Sequence, residues 1–323
     1  MKRSISILLF FISCVAFSQS AKITVKQEGF GENHQLRLII NGKMLEVNPN
    51  GELIYSGEID LSKPVYGMVI NPESKYSGFY VEHGATEVIV KKKGFPSSLE
   101  VPGSNSHAIY SSIAHAKNEK DFLTNTLANI ENPVALDIFN QRFRFEKLSL
   151  EELKQVYNSA PEKHKDLLAD LSAFINTAGL KKAEVGGQII DFEGQDQHGK
   201  TYSTKQYRGK YLLLDFASTG CGPCWAGYPD MQVQTSKYDN LQVITYNQDN
   251  AIEGWNKLAE QRGIKLPWPV LWKAENKLEI FELYNVEGWP LHYLISPDGE
   301  ILESWYGSGG DRLEKMLAKY IKD

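Results

Sequence analysis

With 323 residues, 42% of them hydrophobic and 23% charged, the chain is long enough to bury two or three packed units. A formal charge of −5 with no basic patch excludes nucleic acid and anionic membrane surfaces as partners. Three cysteines are too few for a disulfide-stapled scaffold, and seven singly scattered histidines supply no short-spaced ligand set, so neither a metal nor a cofactor is expected.

Met1-Lys2-Arg3 forms a positive start, and Ile5 to Phe17 is an apolar run shorter than the roughly 20 residues a spanning helix needs. That pattern predicts a signal peptide over residues 1–18. Ala16-Phe17-Ser18 meets the small-x-small rule for cleavage before Gln19, with cleavage before Ala21 as the near alternative. A rival is a lipoprotein anchored at Cys14, behind Phe11-Ile12-Ser13, although apolar Val15-Ala16-Phe17 continues the run past the cysteine. Export places the mature chain in the periplasm or cell envelope, moves the charge to −7 by removing Lys2 and Arg3, and leaves two cysteines, Cys221 and Cys224.

Residues 19–103 alternate as strands do, in Leu36-Arg37-Leu38-Ile39-Ile40, Gly51-Glu52-Leu53-Ile54-Tyr55 and Thr86-Glu87-Val88-Ile89-Val90. Turn signals fall at Asn41-Gly42, Asn48-Pro49-Asn50-Gly51 and Asn71-Pro72. The expectation is an all-β, antiparallel, sandwich-like domain, with His34 and His83 on its surface and Lys91-Lys92-Lys93 a solvated strand end. From 104 to 182 the period becomes helical, as in Ile109, Ile113 and Ala116 and in Phe122, Leu123, Leu127 and Ile130. Ser149-Leu150-Glu151-Glu152 and Ser159-Ala160-Pro161-Glu162 both read as capping boxes that open helices.

Residues 183–323 carry the chemistry. Lys210-Tyr211-Leu212-Leu213-Leu214-Asp215-Phe216 is an apolar run with one carboxylate, the pattern of a strand buried on both faces. Cys221-Gly222-Pro223-Cys224 follows, and Pro223 suits the first turn of a helix. Cys221 then lies at the positive end of the helix dipole, which favours its thiolate; Cys224, one turn inward, is the candidate resolving thiol. A zinc site would need a second ligand pair that the sequence lacks, and a structural disulfide closing so small a loop would stabilise little.

These residues resemble the thioredoxin superfamily and, within it, the TlpA/ResA-like thiol–disulfide oxidoreductases. The resemblance runs from Ala183 to Asp323 and rests on the CGPC motif, on Asp215 six residues before the first cysteine, on Pro229 where the active-site helix kinks, on Gly288-Trp289-Pro290 before Leu291-His292-Tyr293-Leu294-Ile295, on the turn Ser296-Pro297-Asp298-Gly299, and on Gly307 before the last helix. It departs from the family at Ala217 and Gly220, where many relatives carry tryptophan, and at Gly227, where a glutamate is frequent. The β-rich region ahead of it bears a weaker resemblance to domains that precede such domains in bacterial envelope proteins.

The resemblance implies an α/β thioredoxin-like domain with an added hairpin around Ile189 to Lys200 and an inserted element around Glu253 to Leu278. It implies a redox disulfide between Cys221 and Cys224, Asp215 as the buried acid that takes the proton of Cys224, and a cis Pro290 that lays the Trp289 backbone along an extended substrate. Disulfide-containing exported proteins would be the substrates and a membrane thiol donor the source of electrons. Trp225, Trp289 and Trp268 are expected to border the dithiol, with Trp255, Trp272 and Trp305 as core. Two alternatives stay open: a thiol peroxidase, against which Leu214 stands where the peroxidase pattern has proline, and a non-enzymatic binding or metal-carrier module, for which His292 is the candidate ligand and otherwise a strand residue.

Overall fold

The computed structural model describes residues 19–30, 36–40, 43–47, 53–59, 63–71, 73–82, 84–196, 198–249, 252–272, 274, 276–308 and 311–322. Cys14, the signal peptide, His34, His83 and the turns at Asn41-Gly42 and Asn48-Pro49-Asn50-Gly51 lie outside these residues, as does Pro72. The chain divides into two compact units at Leu168/Ala169.

In the N-terminal unit the strands are β1 (Gln19–Glu28), β2 (Leu36–Ile40), β3 (Lys43–Val47), β4 (Leu53–Ile59), β5 (Val65–Ile70), β6 (Tyr76–Val81) and β7 (Gly84–Lys91). They form a four-stranded antiparallel sheet, β3-β2-β5-β6, and a three-stranded sheet, β4-β1-β7. The alternation read from the sequence is the alternation of burial: Leu36, Leu38 and Ile40 face inward, and so do Val88 and Val90. Residues of both sheets, Ile23, Leu38, Val69, Phe79 and Val88 among them, share one apolar core. One pairing departs from the antiparallel expectation, because β1 runs parallel to β7 from Ala21↔Gly84 to Glu28↔Lys91. A parallel partner must come from far along the chain, and here most of the unit's strands intervene.

The helices α1 (Asn105–Ala114), α2 (Glu119–Ala128), α3 (Pro133–Arg142) and α4 (Leu150–Ser159) follow. Ser149 and Glu152 make the reciprocal capping box expected at the start of α4. The second expected box does not exist. Ser159 is the last residue of α4, Glu162–Leu168 is a 3₁₀ segment, and α5 (Ala169–Thr177) starts later, in the second unit. Pro161 disfavours helical backbone at the residue before it, and Ala160 is extended at ψ 138°, so the chain leaves the helix there instead of capping a new one.

The C-terminal unit continues with β8 (Glu193–Gln195), β9 (Thr201–Ser203), β10 (Tyr211–Ala217), α6 (Gly222–Thr235), β11 (Leu241–Asn247), α7 (Ile252–Arg262), β12 (Val270–Leu271), α8 (Lys277–Leu283), β13 (Leu291–Ile295), β14 (Ile301–Tyr306) and α9 (Arg312–Tyr320). β8 and β9 are the added hairpin, closed by Asp196, whose side chain accepts from the His198 and Lys200 backbones. The expected insertion holds α7 and the short edge strand β12. The main sheet has the order β12-β11-β10-β13-β14, with β10 parallel to β11 and antiparallel to β13. This is a thioredoxin-like α/β arrangement.

β10 is central, and its period of two sorts its residues between two apolar cores. Leu212, Leu214 and Phe216 pack with Ile280 and Phe281 of α8, whereas Leu213 and Ala217 pack with α6 and with Leu317 of α9. Asp215 belongs to the second set. The same alternation that buries it aims it at the face where the dithiol sits.

Candidate active site

Cys221 is the N-cap of α6, and its Sγ accepts the backbone N–H of Cys224 at 3.0 Å. The sulfur thus takes the place of the usual capping oxygen and meets the unsatisfied N–H groups of the first turn, which favour a negative charge there. The two cysteines are joined as a disulfide. Cys221 is 7% exposed and Cys224 1%, so Cys221 is the more open of the two to another molecule. Pro223 occupies the first turn and Pro229 lies inside the helix, as the motif requires.

The loop ahead of the motif is held by Asp249. Its carboxylate accepts the Thr219 backbone N–H and faces the Ser218 hydroxyl at 3.3 Å. Buried Lys277 in turn donates to the backbone carbonyls of Asp249 and Trp272 at 2.6 and 2.7 Å. Burial pulls the Lys277 ammonium down to about 8, with Asp249 opposing the shift. Sequence reasoning passed over Asp249 and Lys277; neither stands in a motif, and both act through backbone groups.

The loop after β14 closes the other side. Gly307, at φ +85°, donates its N–H to the Pro290 carbonyl at 2.9 Å, and the Ser308 hydroxyl donates to the Pro223 carbonyl. One loop therefore touches both the CGPC turn and the Pro290 segment. The Trp289–Pro290 peptide bond is cis. Trp289 is 39% exposed, while Trp225, Trp255, Trp268, Trp272 and Trp305 are all buried in the cluster that contains both cysteines. Trp255, Trp272 and Trp305 are core as expected, and Trp225 and Trp268 are core residues of the same cluster. Gly227 faces Ser308 so closely that an added Cβ would lie 2.3 Å from the serine Cβ, which explains why no larger side chain fits at that position.

Asp215 is fully buried. Its Oδ2 accepts the Thr245 hydroxyl at 2.9 Å, and Thr245 Oγ1 accepts the Trp268 indole N–H at 3.0 Å. Burial pushes the carboxyl up to about 7, against the opposing effects of Thr245 and of Tyr228, whose hydroxyl faces it. A carboxyl balanced near neutral pH can take or give a proton during turnover.

The residue that sequence reasoning undervalued is His292. Across the β10–β13 pair it stands opposite Asp215, and its Nδ1 lies 3.3 Å from Asp215 Oδ1. Burial drives the imidazole down to about 3, helped by the positive charge of Arg312, so the ring is neutral. Its place two residues after Pro290 was the available signal, and it could be read only with the strand register in hand.

Comparison with known proteins finds a match between residues 185–304 and the profile of the AhpC/TSA family. Among curated proteins, the thiol-disulfide oxidoreductase ResA of Bacillus thuringiensis subsp. konkukian is 26% identical over 144 residues, covering 44% of this chain and 79% of that protein. ResA of Bacillus anthracis is 26% identical over 147 residues, with 45% and 81% covered. Among solved structures, the thioredoxin domain of a thiol-disulfide oxidoreductase from Bacteroides vulgatus aligns with a TM-score of 0.40 and 23% identity over 44% of this chain and 100% of that one.

Proposed function

Because its C-terminal unit is a TlpA/ResA-like domain of the thioredoxin superfamily, we propose that this chain is an exported thiol–disulfide oxidoreductase that reduces disulfides in other exported proteins. The observation that carries the reading is the pairing of an N-cap sulfur, Cys221, with a more deeply buried cysteine, Cys224, on the same sheet face as a carboxyl held near neutral pH. In the reduced enzyme the Cys221 thiolate attacks a substrate disulfide. A Cys221–substrate bond forms, the substrate S–S bond breaks, and the departing sulfur takes a proton from water. Asp215 then accepts the proton of Cys224, and the Cys224 sulfur attacks Cys221 Sγ. The enzyme disulfide forms as the second substrate sulfur leaves.

The two electrons passed to substrate must be replaced by an external thiol donor, which in an oxidising envelope is a membrane dithiol. Trp289, the exposed aromatic beside Pro290, is the proposed docking surface for the substrate segment flanking the disulfide. The basic and apolar start of the chain supports export through a cleaved signal, with anchoring at Cys14 as the alternative. Gly222-Pro223 between the cysteines supports the reducing direction.

A Cys224→Ser variant is expected to accumulate a mixed disulfide on Cys221 that mass spectrometry detects. A glutathione redox titration decides direction, since a potential more positive than about −180 mV would make the protein an isomerase or oxidant instead. Peroxide turnover that exceeds insulin reduction would move the reading to a peroxidase.

A further inference from the structure

Hydrogen-bond directions around Asp215 favour one place for its proton. An indole N–H can only donate, so Thr245 Oγ1 accepts from Trp268 and has its own hydrogen to give to Asp215 Oδ2. With that hydrogen on Oδ2, the proton of the acid form sits on Oδ1. That atom and His292 Nδ1 are both buried without a hydrogen-bond partner, and they face each other at 3.3 Å. Two unsatisfied polar atoms in a dry interior are costly apart, and one proton between them satisfies both. The contact is long, as such contacts are before substrate arrives.

The far side of the ring meets a way out. His292 also hydrogen-bonds the Gly307 backbone, and because Nδ1 has no partner this bond belongs to Nε2. A cavity of about 10 Å³ lies there, lined by His292, Gly307, Ser308, Gly227, Asp230 and Arg312. That is the room one water needs, and its lining mixes Ser308, Asp230 and Arg312 with apolar Met231, Trp305 and Leu313. Trp305 packs beside the imidazole at 5.2 Å and fixes its plane, with Arg312 over the indole at 5.9 Å.

We propose that His292 is the positioning and proton-relay partner of Asp215, carrying the proton that Asp215 takes from Cys224 to the cavity between α6 and the Gly307–Ser308 loop. This rests on the thiol–disulfide reading above. With Asp215 protonated, Oδ1–H donates to Nδ1 and the imidazole holds its hydrogen on Nε2. When the proton leaves, Nδ1 gains a hydrogen from Oδ1 as Nε2 gives the hydrogen it had shared with the Gly307 carbonyl to a water in the cavity. The ring stays neutral throughout, changes tautomer, and ends by donating Nδ1–H to the carboxylate. Charge and protons balance, with one proton delivered to solvent. The groups facing this pair are Tyr228 and Asp230 from α6 and Arg312 from α9; β11 contributes uncharged Thr245.

The test is ¹⁵N NMR of the His292 ring in the full chain, reduced and oxidised, between pH 5 and 9. The expected result is a neutral ring that passes its hydrogen from Nε2 to Nδ1 in step with Asp215. A single tautomer across the range, or an imidazolium, overturns the proposal. In parallel, His292→Gln keeps a hydrogen-bonding group but cannot relay; its insulin turnover is expected to fall by about tenfold or more while alkylation of Cys221 is unchanged. Unchanged turnover would equally overturn the relay. If His292→Gln fails to fold, the ring measurement on the unaltered protein decides alone. If the unaltered protein fails to reduce insulin, the proposed function is lost, and the tautomer result still judges the relay.

Discussion

Asp137 of α3 and Asp215 of β10 are carboxyls raised by burial, one in each unit, and their partners differ in kind. Asp137 accepts the Tyr80 hydroxyl at 2.6 Å and the Gln141 amide at 2.9 Å. Tyr80 packs in a ring of tyrosines with Tyr66 and Tyr110, tying β6 and β5 to α1 and α3. Asp215 accepts Thr245 at Oδ2, is faced by the Tyr228 hydroxyl, and has an Oδ1 that waits on a neutral imidazole. Two good donors make a carboxylate a fastener. A carboxyl left half-satisfied on the face of β10 that packs against α6 is placed to exchange a proton, so the contrast separates a structural use of burial from a chemical one.

The comparison is tested most severely at the sulfurs. Cys221→Ser should lose insulin reduction by several orders of magnitude, because the thiol that remains, Cys224, is buried, while Tyr80→Phe in the other unit should leave turnover unchanged in the same dithiothreitol-coupled assay.

The next effect is on stability. The folded Asp215 titrates near 7 and the unfolded residue near its ordinary 3.8, so the native state binds more protons between those values. Stability from this group is full below 3.8, falls as pH rises and is lost above 7. Asp215→Asn, which needs no proton to be neutral, should therefore gain on the parent protein at pH 8 by roughly 4 kcal/mol, and gain nothing at pH 3.5, in urea unfolding followed by circular dichroism. A loss of stability at both pH values would show that Asp215 is a fastener after all.

Gly227→Ala should cost about 1–3 kcal/mol, since its Cβ would collide with Ser308. The double variant with Ser308→Gly should recover most of that loss, and thermal melts of the four proteins read the coupling. Smallest is Tyr80→Phe, which removes one donor from Asp137 at a cost of about 1 kcal/mol, measured by the midpoint of urea unfolding.

Much of this was legible in the residues. The run Tyr211–Ala217, the cysteines at a helix start, the capping box at Ser149 and the inward alternation of Leu36, Leu38 and Ile40 are all set by neighbours within one turn or one strand, and such neighbours are adjacent in sequence. Even the burial of Asp215 could be expected, because a strand apolar on both sides leaves its one carboxylate nowhere else to go.

What the tertiary structure alone decided is which distant residue answers each of these. Sequence spacing reveals no register between β10 and β13, yet register places His292 against Asp215, and a slip by one residue would have turned the imidazole to the opposite face. The same holds for Ser308 filling the space at Gly227, for Asp249 and Lys277 holding the loop before Cys221 through backbone groups, and for β7 lying parallel to β1. Ser159 shows the limit from the other side, where a motif with correct spacing was overruled by the proline within it. Local propensities choose the elements, while the partner of a buried polar group is chosen by whichever strand, helix or loop the packed core brings within hydrogen-bonding distance.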